Sequence, residues 1–390
     1  MAREAVIVEA VRTPLGKRNG SLKDWHPVDL LAEILNETVS RSGIDAARVD
    51  DVICGCVSQV GEQSFNVGRN AWLAAGLPEE VPATSLDRQC GSSQQAAHFA
   101  AQGVMAGAYD VAIACGIEHM TRVPMGSSAQ APGFPFSEKL MSRYEGGLVP
   151  QGLSAEIIAE RWGLEREALD RFSARSHERA AEATASGSFK NEIQPIKVQS
   201  EDGIELFETD EGIRTPNLEK MSALPPAFKP DGVVTAANSS QITDGAAALL
   251  ITTPKKAKEL GLEPRARFVD FALAGTDPVT MLTGPIPATR KIVERSGVAL
   301  EDIDLVEINE AFASVVLAWK KELGLSDDWF DERVNVHGGA IALGHPLGAS
   351  GARLMTTLLN AMEARGARYG LQTMCEGGGL ANATLIERLG

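Results

Sequence analysis

The chain has 390 residues, 44% of them apolar and 23% charged, and a formal net charge of −15. This length and composition suit two or three folded units and exclude a disordered, collagen-like or coiled-coil protein. An acidic surface repels phosphate backbones, and no apolar stretch reaches the roughly 18 residues of a membrane span, so neither nucleic acid nor a membrane is an expected partner. Five thinly spread cysteines indicate a reducing compartment, and we expect a cytoplasmic protein.

The first predicted elements alternate between strand and helix. Residues 1–14 predict a strand rather than a targeting signal, because charges interrupt the apolar run. A helical spacing of apolar residues ends at Gly43, and V-D-x-V at 49–52 leads into the next strand. Cys90 then opens the small-residue stretch C-G-S-S-Q-Q-A-A. A predicted helix runs from there to a Gly-Ala pair, and an apolar strand follows that ends at Cys115.

The middle of the chain, residues 119–249, predicts an inserted domain. It is rich in Gly, Pro and polar residues at 121–152, amphipathic and helical at 154–186, and strand-like and charged at 192–214. An apolar strand around 246–252 is expected to rejoin the first half. We interpret the insertion as a lid or subdomain.

An internal repeat is the most informative feature. The pattern R-S-G-[IV]-x4-[VI]-D-x-V occurs at 41–52 and again at 295–306. Cys90 lies 49 residues after the start of the first copy, and His345 lies 50 residues after the start of the second. Each opens a small-residue stretch, then a predicted helix and a strand that ends in a cysteine, which is Cys375 in the second copy.

The repeat predicts an α/β fold of two duplicated halves, with a mainly parallel sheet covered on both faces. The expected N-terminal core half is 1–118, completed by 250–268. The inserted loop domain is 119–249, and the C-terminal core half is 269–390.

A pseudo-twofold axis between the halves would bring Cys90 and His345 together, each just before a helix. The helix N-terminus would stabilise a Cys90 thiolate, and an imidazole within reach would act as its base. Cys375 would supply a second thiol for acid–base chemistry, and the glycines at 377–379 would offer N–H donors. On spacing alone, an ordinary core role for these residues stays open.

The other cysteines and histidines predict no chemistry. Cys54 and Cys115 are expected to be buried, and the Cys54-x-Cys56 spacing does not match a zinc site, so no metal is expected. Four histidines are expected on the surface or in satisfied polar contacts: His26, His98, His119 and His177.

Five motifs in chain order resemble those of the thiolases, and the resemblance extends from end to end. They are V-x-x-V-R-T-P-x-G at 8–16, D-R-Q-C-G-S-S at 87–93, V-E-I-N-E-A-F-A at 306–313, N-V-H-G-G-A-I-A-L-G-H-P-L-G-A-S-G at 335–351 and M-C-E-G-G-G at 374–379. The resemblance implies a duplicated five-layer α/β/α/β/α core with a loop domain inserted in the first half. This architecture agrees with the repeat.

The same resemblance implies catalytic roles. Cys90 would accept the acyl group, His345 would activate it and then face the thioester oxygen, and Cys375 would move the proton on the acetyl α-carbon. Asn309 would hold a water that forms an oxyanion hole with His345. The N–H groups of Cys90 and Gly377 would form a second hole for the acyl intermediate.

Coenzyme A is expected as a substrate under the inserted domain, with no permanently bound cofactor. By resemblance, Arg214 would stack near the adenine and Ser240 would contact the pantetheine. Met221 and Phe228 also fall at loop positions that match those of the family. A solvated surface charge is the alternative for Arg214.

Local departures bear on substrate and direction. At the positions of Pro150 and Gln241 the chain resembles degradative 3-ketoacyl-CoA thiolases rather than biosynthetic members. The implied process is fatty-acid or steroid side-chain breakdown. Asp87, His337 and Gln151 depart from the usual Asn, Asn and Met. The polar Gln151 side chain suggests a bulky or oxygenated acyl chain, and the sequence around Gln63, Trp72 and 87–95 resembles steroid-degrading members.

Three alternatives to degradation remain, and one expectation concerns assembly. The alternatives are a biosynthetic acetyl-CoA acetyltransferase, a decarboxylating condensing enzyme, and a non-catalytic CoA- or lipid-binding protein. A condensing enzyme would carry a Cys-His-His set, whereas Asn309 and Cys375 match the thiolase set. The resemblance implies a homotetramer with the 121–145 loop at the second interface.

Overall fold

The computed structural model describes residues 3–130, 132–200 and 203–390. The strands, in chain order, are β1 (Val6–Arg12), β2 (Gly16–Lys17), β3 (Asp51–Gly55), β4 (Ala83–Leu86), β5 (Val111–His119), β6 (Ile196–Ser200), β7 (Gly203–Phe207), β8 (Thr243–Thr252), β9 (Ala266–Gly275), β10 (Leu305–Ile308), β11 (Tyr369–Glu376) and β12 (Leu380–Arg388).

The helices follow the same chain order. They are α1 (Pro27–Ser42), α2 (Val67–Ala74), α3 (Ser92–Ala106), α4 (Glu138–Met141), α5 (Gln151–Arg161), α6 (Arg166–Ser186), α7 (Leu218–Ser222), α8 (Pro254–Leu260), α9 (Pro285–Ser296), α10 (Ala313–Glu322), α11 (Asp327–Arg333), α12 (Ala340–Leu343) and α13 (Ser350–Arg365).

The two halves share one strand order, which is β1-β8-β5-β3-β4 in the first and β9-β12-β11-β10 in the second. β1 and β9 pair antiparallel and join the half-sheets. β3 runs parallel to β4 and β5, and β10 runs parallel to β11, but the other pairs are antiparallel. The expectation of a mainly parallel sheet is therefore wrong. One cause is the tight turn between β11 and β12, which forces an antiparallel hairpin.

Helices cover both half-sheets and also separate them. α1 and α2 pack on the outer face of the first half through residues such as Leu30, Ile34 and Trp72. α9 and α10 cover the second half through Ile292 and Trp319. α3 and α13 lie between the half-sheets. The expected duplicated five-layer core is therefore confirmed.

The two middle helices approach each other closely at small residues. A β-carbon on Gly351 would overlap the main-chain nitrogen of Gln94, so only glycine allows this contact. The Ala352 N–H donates to Ser93 Oγ at 2.8 Å across the same contact. The first turns of α3 and α13, which follow Cys90 and His345, are thereby held side by side.

The insertion and the domain limits differ in detail from expectation. The predicted helical stretch at 154–186 consists of two helices, α5 and α6, separated at Gly163 with φ of 56°. β8 begins at Thr243, inside the range expected for the insertion, and β9 crosses the expected boundary at 268. β5 continues to His119, so the expected strand end at Cys115 is wrong.

Buried ion pairs anchor the insertion to the first strand. The Arg12 guanidinium donates to Glu192 at 2.6 Å and to Asp210 at 2.7 Å, and all three side chains are fully buried.

Within the described ranges, no helix is long and apolar enough to cross a membrane. Those ranges also hold no cluster of three or more His, Cys, Asp or Glu that could bind a metal ion.

Candidate active site

Cys90 lies in a sharp turn between β4 and α3. Gln89, directly before it, has φ of 49°, a left-handed conformation that is costly for a residue with a side chain. The turn is held because the Arg88 N–H donates to Ser92 Oγ at 2.9 Å, and Ser92 Oγ donates to the Gln89 carbonyl at 2.6 Å. The Cys90 thiol, 4% exposed, is therefore fixed at the N-terminus of α3.

Main-chain donors converge on this thiol. The N–H groups of Gly377 and of Cys90 itself lie near Sγ and favour the thiolate. Burial, with a smaller effect of Glu376, outweighs them and raises the pKa of Cys90 to about 12. The expectation that the helix N-terminus leaves a low-pKa thiol is wrong for this reason. Ionisation of Cys90 therefore depends on a nearby proton acceptor.

His345 is held in one orientation by a chain of hydrogen bonds. The Ser350 hydroxyl donates to the Pro346 carbonyl at 2.9 Å, so Ser350 Oγ accepts from His345 Nδ1 at 2.5 Å. Asn309 Nδ2 donates to His345 Nε2 at 3.3 Å. This assigns the proton to Nδ1 and the lone pair to Nε2. Burial, reinforced by the charge of Arg353, lowers the pKa of His345 to about 3.

Cys375 and Asn309 come from the ends of two parallel neighbours, β11 and β10. The Asn309 N–H donates to the Thr373 carbonyl at 3.1 Å, which aligns the two strand ends. Cys375 is fully buried, and burial followed by the charge of Cys90 raises its pKa. Among the described residues, the buried Asn309 Oδ1 has no hydrogen-bond partner, which suits a bound water.

The five predicted catalytic residues therefore meet at one end of the middle layer. Cys90, Cys375 and Gly377 form one group, and His345 with Asn309 forms another. Leu347, two residues after His345, packs in one apolar cluster with Cys90.

Sequence reasoning missed two buried polar residues at this site. Ser350, which orients His345, follows it by five residues in the same motif. Glu376 lies between Cys375 and Gly377 and is fully buried. Within the part of the chain that the structure describes, neither of its carboxyl oxygens has a hydrogen-bond partner.

The predicted coenzyme A residues divide between two places. Arg214 and Met221 line one cavity of about 280 Å³, together with His177, Lys220 and Gln241. A larger cavity, about 540 Å³, is lined by other residues, such as those at 187–195 of the insertion.

Phe228 and Ser240 are not among the residues that line the 280 Å³ cavity. The Phe228 ring lies edge-on to Phe312 at 6.0 Å between centroids and covers Gly152. The Ser240 N–H donates to the Ala311 carbonyl at 2.9 Å. Both positions border the start of α10, which follows Asn309.

Gln241 and His177 shape the cavity that contains Arg214. The two N–H groups of Gln241 Nε2 are shared among three main-chain carbonyls, those of Gly212, Ile341 and Ala342, and so tie the insertion to α12. Its Oε1 accepts from Arg214 at 3.3 Å. His177 Nδ1 accepts from the Arg214 N–H at 3.1 Å, a contact that sequence analysis did not anticipate.

The departures at Asp87 and Gln151 lie near the nucleophile. Asp87 accepts from the Gln89 N–H at 2.6 Å and so caps the strained turn. The Gln151 and Gln89 side chains flank Gly377, with atoms 3.4 Å and 3.0 Å from where its β-carbon would lie. Gln151 therefore lies beside Gly377.

The third departure is His337, and Gln63 and Trp72 are the residues whose surroundings resemble steroid-degrading members. His337 packs edge-on against Phe189 at 5.8 Å. Gln63 and Trp72 are buried in the first half and bond to groups there, such as the Pro78 carbonyl. They offer no pocket-based reason for a steroid substrate.

A buried cysteine at a helix N-terminus, a neutral imidazole and a second buried thiol are the groups that enzymes of acyl transfer through a cysteine use. The thiolase N-terminal domain family matches residues 5–255, and the thiolase C-terminal domain family matches 262–388. The chain belongs to the thiolase family, and the expectation of an acyltransferase is confirmed.

Named relatives match over nearly the whole chain. The steroid 3-ketoacyl-CoA thiolase FadA6 of Mycobacterium tuberculosis is 51% identical over 99% of this chain and 94% of its own length. The 3-ketoacyl-CoA thiolase of Citrobacter koseri is 46% identical over 99% of both chains. The crystal structure of the Bacillus anthracis acetyl-CoA acetyltransferase superposes with a TM-score of 0.91 at 38% identity, over 100% of this chain and 99% of that one.

Proposed function

We propose that the protein cleaves 3-ketoacyl-CoA with coenzyme A, giving acetyl-CoA and an acyl-CoA two carbons shorter, through an acyl-Cys90 intermediate. The observation that carries this proposal is the placing of His345, held by Ser350 at 2.5 Å and Asn309 at 3.3 Å, two residues before Leu347, which packs in one apolar cluster with the buried Cys90. The relatives named 3-ketoacyl-CoA thiolases, at 46% and 51% identity, support the degradative direction.

In the first half-reaction, His345 Nε2 takes the Cys90 proton as the thiolate attacks the 3-keto carbon. The N–H groups of Cys90 and Gly377 stabilise the oxyanion that forms. The bond between carbons 2 and 3 then breaks and leaves the enolate of acetyl-CoA. A water on Asn309, together with His345, stabilises that enolate oxygen, and Cys375 delivers a proton to carbon 2.

In the second half-reaction, coenzyme A removes the acyl group. The Cys375 thiolate left by the first step takes the proton of the coenzyme A thiol, and the resulting sulfur attacks the acyl-Cys90 carbonyl. The same two N–H groups stabilise the second oxyanion. Cys90 leaves as a thiolate and regains its proton from His345, so both thiols and the imidazole return to their starting states.

The cavity beneath the insertion is proposed to hold coenzyme A. Arg214 and Lys220 supply positive charge and Met221 an apolar wall, which suits a nucleotide with phosphate groups. We place the pantetheine between this cavity and Cys90, along Ser240 and Phe228. Both residues border the start of α10, the helix that follows Asn309 in the chain.

We propose an acyl chain that is bulky or carries oxygen. The amides of Gln89 and Gln151 flank Gly377 at the acyl-binding end and would hydrogen-bond an oxygenated chain. The relative named a steroid 3-ketoacyl-CoA thiolase supports this choice. The structural neighbour named acetyl-CoA acetyltransferase favours the alternative of small acetyl substrates.

Thiolysis with two substrates tests the proposal. Acetoacetyl-CoA and a ring-bearing 3-ketoacyl-CoA are each mixed with coenzyme A, and the absorbance of the 3-ketothioester is followed for wild type and Cys90→Ala. We expect loss of absorbance in wild type alone, faster with the ring-bearing substrate. Faster turnover of acetoacetyl-CoA would overturn the acyl-chain assignment. No turnover of either by folded protein would support a binding protein instead.

We also propose a homotetramer assembled from two dimers. β4 ends the sheet of the first half and leaves one strand edge free to pair with a second copy. The 121–145 loop exposes Met125, Phe134 and Phe136, which suits a second interface. Light scattering should give a tetramer for wild type and a dimer for a Phe134→Ser, Phe136→Ser double variant. A monomeric wild type at micromolar concentration would refute the proposal.

A further inference from the structure

Glu376 is a buried carboxyl group that the proposed mechanism does not use. Its side chain is fully buried, and across the residues that the structure describes neither oxygen has a hydrogen-bond partner. Burying a polar group without partners costs free energy, and such groups in native proteins call for a functional explanation. Glu376 also stands between Cys375 and Gly377, two of the proposed catalytic residues.

The carboxyl lies against the N-terminus of α3. A β-carbon on Gly91, the residue that caps this helix, would overlap Glu376 Oε1. Cys90, the residue before Gly91, occupies the same helix end. The N-terminus of a 15-residue helix attracts negative charge, so the carboxylate and the thiolate compete for one favourable position.

Charged and polar groups surround Glu376. Arg88 favours its ionised form, as does the nearby N–H of Asn382, while Asp87 opposes it. The thiols of Cys90 and Cys375 face it, and its charge raises the pKa of both. Burial dominates these effects and raises the pKa of Glu376 to about 8. The carboxyl therefore changes charge within the range in which the thiols must react.

We propose that Glu376 is a positioning residue that shares a single negative charge with Cys90 at the N-terminus of α3. When the carboxyl is neutral, the helix end accommodates the Cys90 thiolate. When it is ionised, the second anion is disfavoured by like-charge repulsion. Glu376 thereby limits the population of Cys90 thiolate in alkaline solution. The inference rests on the proposed role of Cys90 as the nucleophile.

Alkylation of Cys90 as a function of pH tests the inference without using thiolysis. Wild type, Glu376→Gln and Glu307→Gln are reacted with iodoacetamide between pH 6.5 and 9.5, and mass spectrometry with fragmentation locates the label on Cys90. Glu307 is the matched control, because burial raises its pKa to about 8 as well, but it faces Arg353 at 3.9 Å.

Glu376→Gln should alkylate about five- to tenfold faster than wild type at pH 9, for a like-charge effect of about one to two pKa units, and at a similar rate at pH 6.5. Glu307→Gln should match wild type at both pH values. The inference is overturned if Glu376→Gln shows the same ratio to wild type at both pH values, or if Glu307→Gln reproduces the acceleration.

A second measurement tests the inference with the wild-type protein alone. In wild type, the logarithm of the Cys90 alkylation rate should rise with pH, flatten above about pH 8, and rise again. A single uniform slope from pH 6.5 to 9.5 would overturn the inference even if Glu376→Gln failed to fold. Because alkylation reports the thiol alone, a lack of thiolysis would count against the proposed function and not against this inference.

Discussion

Ser350→Ala tests how His345 is prepared as a base. In the structure His345 Nδ1 donates to Ser350 Oγ at 2.5 Å, and this bond leaves Nε2 as the unprotonated ring nitrogen, which accepts from Asn309 at 3.3 Å. Removal of the hydroxyl leaves a buried N–H without a partner, since Ser350 and His345 are 0% and 4% exposed. This loss costs about 1–3 kcal/mol, either because the buried N–H stays without a partner or because His345 shifts to its other tautomer.

The expected consequence is a fall in kcat of about 5- to 150-fold, from that cost at about 1.4 kcal/mol per factor of ten. KM for coenzyme A should change little, because Ser350 is not among the residues lining the cavity that contains Arg214. Steady-state thiolysis at saturating and limiting coenzyme A separates the two parameters.

Thr356→Val is the matched control for Ser350→Ala. Thr356 is also a buried hydroxyl on α13, but it donates only to the Ala352 carbonyl of its own helix. The control should change the free energy of unfolding and leave kcat near wild type. If folded Ser350→Ala retained kcat within twofold of wild type, the assigned hydrogen-bond chain would not prepare the base and the reasoning would fail.

Two further changes test the cavity and the core. Arg214→Ala should raise KM for coenzyme A about fivefold, because a stacking or charge contact of about 1 kcal/mol is lost. The control Arg171→Ala, on the exposed face of α6, should leave KM unchanged. Equal KM values for the two variants would show that Arg214 is a solvated surface charge. Gly351→Ala should lower the free energy of unfolding by about 1–3 kcal/mol in urea titrations, because the methyl group overlaps Gln94. The control Gly275→Ala should destabilise the protein less, because its methyl group meets open space. Equal destabilisation by the two variants would contradict the close contact of α3 and α13.

The repeat explains why so much of the fold was predictable. It placed Cys90 and His345 at equivalent points of two halves, and the structure puts Cys90 two residues before α3 and His345 five residues before α13. The mainly parallel sheet was wrong, because strand direction depends on connections that the repeat does not reveal. β8, for example, returns to the first half only after the whole insertion, and it pairs antiparallel with β5.

The electrostatics of the site were less predictable than its residues. The position of Cys90 before a helix suggested a lowered thiol pKa, but full burial and Glu376 reverse the balance. Glu376 stood in the quoted C-E-G-G-G motif, yet nothing in a linear sequence shows that its carboxyl is enclosed without partners. Likewise, the separation of Phe228 and Ser240 from the Arg214 cavity depends on how the insertion folds back over the core.

The acyl-enzyme itself tests the central claim most directly. Wild type, Cys90→Ala and Cys375→Ala are incubated with a 3-ketoacyl-CoA in the absence of added coenzyme A, and mass spectrometry locates any acyl group. The proposed mechanism predicts an acyl adduct on Cys90 in wild type and no adduct in Cys90→Ala. Thiolysis that persists in Cys90→Ala, or an adduct carried by Cys375 instead, would contradict it.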